Sequence, residues 1–109
     1  MSNVVDVNDS NFETEVLNST VPVLVDFSAT WCGPCQRQTP IVEKFAAEHG
    51  SEVVKVCKVD IDDAPAVAAK LGIRSVPSLL LFSNGQKVET KVGLTSLREL
   101  NELLAGKIK

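Results

Sequence analysis

Two cysteines separated by two residues, Cys32 and Cys35, are the part of the sequence with the clearest potential for chemistry. A C-x-x-C pair can bind a metal ion, form a structural disulfide or exchange electrons as a dithiol, and spacing alone does not separate these uses. The other cysteine and the single histidine, Cys57 and His49, have no companion ligand at the short spacing typical of zinc sites. A structural disulfide across so few residues would restrict the unfolded chain very little. These observations favour redox chemistry.

A helix that begins at the first cysteine would make that cysteine reactive. The apolar pattern predicts a helix over 34–49, with Cys32 in its first turn. The unpaired N–H groups and the positive end of the helix dipole would favour a thiolate at Cys32, which makes it the attacking nucleophile. Cys35 lies one turn further on, where it can resolve a mixed disulfide. Gly33 is expected to permit a tight turn, and Pro34 to stiffen the loop.

A carboxylate interrupts the apolar run at 21–28, which otherwise has the composition of a strand buried on both faces. If Asp26 is buried, its pKa should rise, and it could accept the proton that Cys35 loses before it attacks. The alternative is that the strand ends here and Asp26 reaches solvent. Lys58, in the next buried run, is the only plausible internal cation nearby. Strand alternation could place it on the same face as Asp26, although its long side chain could equally extend to water.

The elements that position these residues alternate between strand and helix, in the order βαβαβαββα. This order predicts parallel pairing with right-handed crossovers, and an Asn84-Gly85 turn adds an antiparallel hairpin. We therefore predict an α/β fold, a central mixed sheet with helices on both faces, as one domain over 1–109. The Cys32 loop would lie at the carboxyl end of the central strand, where open α/β sheets place their sites. The predicted strands are 4–7, 21–28, 52–61, 78–82 and 86–92; helices follow Ser10-x-x-Glu13, Cys32, Pro65 and Ser96-x-x-Glu99.

The bulk composition argues against several functional classes. The formal net charge is −3, from 11 basic and 14 acidic residues, and no basic cluster indicates a nucleic-acid partner. No apolar run approaches the roughly 20 residues of a membrane span, and the first residues do not resemble a signal peptide. Three cysteines are too few for a disulfide-scaffolded secreted domain. We therefore expect a cytoplasmic protein, and a monomer because no apolar stripe is left without a partner.

At the pentapeptide WCGPC the sequence resembles the thioredoxin family. The similarity extends in order through VDFSATWCGPCQRQTP, KVDID, GIRSVPSLLLFSNGQ and KVG, and so covers almost the whole chain. It implies a thioredoxin-like three-layer sandwich and a general protein-disulfide reductase, in which Cys32 attacks and Cys35, assisted by the buried acid Asp26 and its partner Lys58, resolves. It also implies that no cofactor is bound. A thioredoxin reductase that uses NADPH would recharge the Cys32–Cys35 disulfide, and the other partners would be disulfide-containing proteins.

The same resemblance implies a flat apolar surface for docking substrates around the reactive sulfur. Pro77 would be a cis-proline facing the disulfide, and the Val76 backbone would pair with an extended substrate. Without the resemblance, Pro77 would be an ordinary proline at the start of a strand and Gly93 a turn glycine. We call the following eight residues the docking surface: Trp31, Gly33, Pro34, Ile61, Val76, Pro77, Val92 and Gly93.

Three positions depart from the family pattern. Ser28 stands where many bacterial members carry a second tryptophan, Ser75 where glycine is frequent, and Cys57 is an additional thiol that is either a small core residue or a site of regulatory oxidation. Two other functions also remain open from the sequence. One is an oxidase or isomerase, against which the residues between the two cysteines and the absence of an export signal argue. The other is a binding subunit that docks partners through the surface around Trp31.

Overall fold

A five-stranded mixed sheet forms the centre of the protein, in the computed structural model that describes residues 3–107. Its strand order is β1-β3-β2-β4-β5; β1 and β2 run parallel to β3, whereas β4 is antiparallel to β2 and β5 to β4. The predicted α/β topology is confirmed, and the strand that precedes the cysteines is central. The strands are β1 (Val4–Val7), β2 (Val23–Ser28), β3 (Lys55–Asp60), β4 (Ser78–Ser83) and β5 (Gln86–Val92).

Helices cover both faces of the sheet and create two separate cores. On one face, buried side chains of α1 and α3, such as Phe45 and Leu100, pack against Leu24 of β2. On the other face, α2 and one π-helical turn pack against Phe27 of the same strand through residues such as Val67. The result is the predicted three-layer sandwich. The helical elements are the π-helical turn (Glu13–Leu17), α1 (Gly33–His49), α2 (Pro65–Leu71) and α3 (Leu97–Lys107).

The central strand β2 is buried along its entire length because both of its faces are covered by helices. Successive side chains of a strand point to opposite faces, so Asp26 lies on the same side as Leu24, beneath α1. Val25 and Phe27 face the other core. The fold therefore places one carboxyl group inside an apolar layer, directly under the helix that carries the cysteines.

Two sequence predictions about the elements are wrong. Ser10 and Glu13 do not form a capping box, because the N–H and hydroxyl of Ser10 both donate to Asn8 Oδ1, over 2.9 and 2.6 Å. Only one π-helical turn follows. The strand predicted over 52–61 begins later, at Lys55, since the N–H of Val54 is already bonded to the carbonyl of Gly50 in the preceding turn.

Two other local signals are confirmed. Glu99 N–H donates to Ser96 Oγ and Ser96 N–H donates to Glu99 Oε1, each over 3.1 Å, which is the capping box predicted for α3. Asn84 and Gly85 both have positive φ angles, 54° and 78°, as a type I′ hairpin turn between β4 and β5 requires.

The amino-terminal end of α2 is capped by a residue from a distant part of the chain. Asp9 Oδ1 accepts the N–H of Val67 over 2.9 Å, and Asp9 Oδ2 accepts the N–H of Ala66 over 3.1 Å. Replacing Asp9 by alanine leaves both N–H groups without this acceptor, so we expect the free energy of unfolding to fall by about 1 kcal/mol. Urea unfolding measures the effect. Asp9→Asn keeps one acceptor oxygen, so its free energy of unfolding should fall by less than that of Asp9→Ala. If Asp9→Ala were as stable as the parent protein, the cap would contribute nothing to stability.

Candidate functional site

Cys32 and Cys35 form a disulfide at the amino-terminal end of α1, with their Cα atoms 5.3 Å apart. Cys32 is the N-cap residue, with an extended backbone (φ −95°, ψ 113°), and so lies just before the first helical turn in which the sequence placed it. The N–H of Cys35 donates to Cys32 Sγ over 3.2 Å. In the dithiol state this bond and the helix dipole stabilise negative charge on the Cys32 sulfur.

The loop before β4 approaches the disulfide from the opposite side. The Val76–Pro77 peptide bond is cis, as predicted, and the carbonyl oxygen of Val76 lies 3.7 Å from Cys32 Sγ. Val76 and Ile61 are half-buried and pack against the small apolar cluster formed by Ala29 and the two cysteines. One edge of the Cys32 sulfur therefore lies directly against the backbone of this loop.

The docking surface combines two strongly exposed apolar side chains with less accessible neighbours. Trp31 and Val92 are each 68% exposed, which is unusual for such large apolar groups. The indole Nε1 of Trp31 donates to Asp62 Oδ2 over 2.9 Å and so holds the ring in place. Of the other members, Gly33 and Pro34 are exposed, Ile61, Val76 and Gly93 are half-buried, and Pro77 is buried.

Of the two glycines of the docking surface, only Gly93 has a backbone conformation that favours glycine. Gly93 has a φ of 91°, a conformation that side-chain-bearing residues rarely adopt. Gly33 has no positive φ, and an added Cβ there would meet no atom within 4 Å. The tight turn expected at Gly33 is not found, because Gly33 is the first residue of α1 and follows an ordinary helical path.

Asp26 is completely buried, and within residues 3–107 neither of its carboxylate oxygens has a hydrogen-bond partner. Burial raises the pKa of Asp26 from its ordinary 3.8 to about 6, although the positive charge of Lys58 acts to lower it. The alternative in which Asp26 reaches solvent is wrong, because α1 covers this end of β2. A carboxyl group that titrates near neutrality is suited to accept and return a proton.

Lys58 is the register partner of Asp26 across β2 and β3, which confirms that the two residues share a face. The half-buried Lys58 Nζ donates to Thr39 Oγ1 over 2.9 Å, and that hydroxyl donates to the carbonyl of Cys35 over 3.1 Å. Within the part of the chain that the structure describes, no ion pair joins Lys58 to Asp26. The ammonium group is thus held by α1 and acts on the carboxyl group through its charge alone.

The thioredoxin family model matches residues 3–106. The chain belongs to the thioredoxin family. It is 50% identical over 93 residues to thioredoxin 1 of Synechococcus elongatus, covering 85% of this chain and 86% of that protein. It is 48% identical over 102 residues to thioredoxin of Rickettsia bellii (94% and 96% covered) and 47% identical over 93 residues to that of Haemophilus influenzae (85% and 86%). The protein is a thiol–disulfide oxidoreductase that reduces protein disulfides by dithiol–disulfide exchange, which confirms the reductase interpretation.

The serine that departs from the thioredoxin pattern at position 28 lines an open cleft. The cleft has a volume of about 400 Å³ and lies beside Cys35, which is only 2% exposed. A tryptophan in place of Ser28 would occupy part of this space. Its other lining residues are Ala29, Thr30, Gln36, Thr39, Lys58 and Asp60.

The additional thiol, Cys57, is a core residue. It is completely buried in the cluster beneath α2, and burial raises its pKa to about 12. At neutral pH it is therefore a neutral, unreactive thiol, and the interpretation of Cys57 as a small apolar core residue is confirmed.

The described residues contain neither a group of metal ligands nor a membrane-spanning helix. Among residues 3–107 no three histidine, cysteine or carboxylate side chains are grouped so that they could hold a metal ion. Over the same residues, no helix combines the length and the apolar character that crossing a bilayer requires. The two cysteines of the C-x-x-C pair, Cys32 and Cys35, are bonded to each other.

Gln38 is a buried polar residue near the site that sequence reasoning missed. Its side chain is fully buried in α1 and bonds to the backbone of Thr95, beyond Gly93 of the docking surface. A signal was present, because position 38 falls on the same helical stripe as Cys35 and Val42. A glutamine on a stripe of otherwise buried residues indicates a specific internal partner.

Proposed function

We propose that Cys32 is the attacking thiolate and Cys35 the resolving thiol in the reduction of protein disulfides. The observation that carries this proposal is the bond from Cys35 N–H to Cys32 Sγ at the start of α1, which favours charge on Cys32 over Cys35. The Cys32 thiolate attacks one substrate sulfur, forms a mixed disulfide and expels the other as a thiolate. Cys35 then loses its proton and attacks Cys32 Sγ. The second substrate thiol leaves, and both electrons of the dithiol have passed to the substrate.

We propose that Asp26 accepts the proton that Cys35 loses in the resolving step. Its burial under α1 and a pKa of about 6 support this role, since the carboxylate and the acid are both populated near neutral pH. Lys58 keeps this pKa from rising further, and Thr39 holds the ammonium group beside the helix. Cys35 itself lines a cleft wide enough for water, together with Thr39 and Lys58.

We propose that the docking surface receives an extended segment of the substrate, with the Val76 backbone pairing to it. The exposed apolar side chains of Trp31 and Val92 support this, because burying them against a partner would be favourable. The 3.7 Å approach of the Val76 carbonyl to Cys32 Sγ supports a binding mode in which a substrate on this backbone also presents its disulfide to the sulfur.

The docking proposal predicts a large effect of Val92→Asp. A charged side chain in an interface that excludes water should weaken substrate binding, so we expect KM for insulin to rise about tenfold with kcat within about twofold of the parent protein. The measurement is insulin reduction at saturating supply of reductant. Val88→Asp, the same change on β5 outside the docking surface, serves as the matched control. If KM is the same for Val92→Asp and the parent, Val92 does not contact substrate.

After each turnover the Cys32–Cys35 disulfide has to be reduced again, and we propose that a thioredoxin reductase does so with electrons from NADPH. The docking surface would receive this enzyme as well, because the same sulfur reacts. We further propose one thioredoxin-like domain over 1–109 that acts as a monomer in the cytoplasm, where NADPH-fed reductases operate. A radius of gyration of 12.4 Å supports a single compact unit, for which about 13 Å is expected.

A further inference from the structure

We infer that Gln38 is a positioning residue for this reaction. Its side-chain amide, through two buried hydrogen bonds to the backbone of Thr95, fixes the Val92–Gly93 side of the docking surface relative to the disulfide at the start of α1. The inference concerns how this surface is held in register with the cysteines, and it rests on the docking function proposed above.

The side-chain amide of Gln38 forms hydrogen bonds with both the N–H and the carbonyl of Thr95. Gln38 Nε2 donates to the carbonyl of Thr95 over 3.0 Å, and the N–H of Thr95 donates to Gln38 Oε1 over 2.8 Å. Gln38 is 0% exposed and Thr95 2%, so water does not compete for either bond. An apolar side chain at position 38 could fill the same space, but it would leave a buried donor and a buried acceptor of Thr95 without partners.

From Thr95 the hydrogen bonds continue back to the disulfide. Thr95 Oγ1 donates to the carbonyl of Gly93 over 3.0 Å, and the N–H of Gly93 donates to the carbonyl of Pro77 over 2.8 Å. The residue before Pro77 supplies the carbonyl that lies against Cys32 Sγ. Gln38 itself lies one turn beyond Cys35 on α1. These contacts form a closed ring through the helix, the Gly93 segment and the loop before β4, and the disulfide is one of its members.

The pairing of Val92 with Ser78 and the bond from Gly93 N–H to the carbonyl of Pro77 hold the start of the segment between β5 and α3 to β4. The segment's apolar side chains are exposed, Val92 by 68% and Leu94 by 46%, and Gly93 has no side chain to pack. The capping box of Ser96 anchors the segment to α3 but not to α1. Thr95, whose buried backbone groups are bonded to Gln38, adds the link from this segment to α1, the helix that carries the cysteines.

Gln38→Met tests the inference, because methionine has a similar length and cannot form either bond. We expect KM for insulin to rise about threefold to tenfold, with kcat within about twofold and the redox potential of the Cys32–Cys35 couple unchanged. Hydrogen exchange at the Thr95 amide should accelerate at least tenfold. The matched control is Gln86→Met, the same change at an exposed residue at the opposite end of β5 from Val92, for which KM and exchange should equal those of the parent. Gln38→Glu, which keeps an acceptor for the Thr95 N–H, should give an intermediate KM.

The outcomes separate this inference from the docking proposal. If Val92→Asp raises KM while Gln38→Met has the same KM as Gln86→Met, the docking proposal stands and the role of Gln38 is overturned. If neither Val92→Asp nor Gln38→Met changes KM, the docking surface itself fails. A changed redox potential in Gln38→Met would also overturn the inference, since Gln38 would then act on the cysteines. Should Gln38→Met not fold, Gln38→Glu takes its place, because it loses the donor to the Thr95 carbonyl; a raised KM supports the inference, and a KM equal to that of the parent overturns it.

Discussion

Cys32→Ser is expected to abolish protein-disulfide reduction, with a loss of at least about a thousandfold, because a serine hydroxyl does not attack a disulfide sulfur at neutral pH. Cys35 is not expected to take over the first step, because it lies inside the first turn of α1 and not at the N-cap, where the free N–H groups stabilise a thiolate. Insulin reduction by the purified variant, with a chemical reductant in place of the reductase, measures the loss. Wild-type turnover by Cys32→Ser would overturn the mechanism.

Two further variants make this experiment specific for the proposed order of attack. Cys35→Ser keeps the nucleophile but lacks the resolving thiol, so it should accumulate a mixed disulfide between Cys32 and the substrate, visible on a non-reducing gel and by mass. Cys57→Ser changes a thiol that lies in the core and should leave the rate of insulin reduction unchanged. An adduct that forms through Cys57 would contradict the assignment.

Asp26→Asn is expected to stabilise the protein strongly at alkaline pH. The fold raises the pKa of Asp26 from 3.8 to about 6, so the folded state binds the proton more tightly than the unfolded chain does. The protonated carboxyl therefore contributes to the free energy of unfolding in full below pH 4, and this contribution is lost as the pH rises through 6. The loss amounts to about 3 kcal/mol. Asparagine carries no charge to bury. We expect the variant to be up to about 3 kcal/mol more stable than the parent at pH 8, and equal to it near pH 4.

Urea unfolding of the oxidised protein at pH 4, 6 and 8 measures this difference. Asp63→Asn removes an exposed carboxylate and serves as the control, because it should change stability little at any of these pH values. A stability gain for Asp26→Asn that is the same at pH 4 and pH 8 would show that its cause is packing or hydrogen bonding, not the charge.

The same substitution should impair the reaction. Without a carboxylate to accept its proton, Cys35 should attack the mixed disulfide on the order of 10²-fold more slowly near neutral pH, and the step in the pH–rate profile near 6 should disappear. Asp26 would then be a residue kept for function at a cost in stability. An unchanged pH–rate profile would remove Asp26 from the proton path.

The strands, the helices and their order could be predicted from the sequence because their signals are local. The apolar run at 21–28, the Asn84-Gly85 turn and the capping box of Ser96 and Glu99 act within a few residues, and each produced the predicted element. The signal for the redox chemistry also lies within a few residues. Two cysteines at this spacing before a helix predict a thiolate and a resolving thiol, and the residues around them carry the resemblance to thioredoxin.

The tertiary structure decided which polar groups meet. Asp9 caps α2 across 57 residues, and Gln38 bonds to Thr95 across the same separation. Lys58 donates to Thr39 of α1, which crosses above it, and not to Asp26, its register partner on β2. A sequence shows which donors, acceptors and charges a chain contains, but their partners and the water around them depend on how the layers pack. The raised pKa of Asp26 has the same origin: it exists only because helices cover both faces of β2.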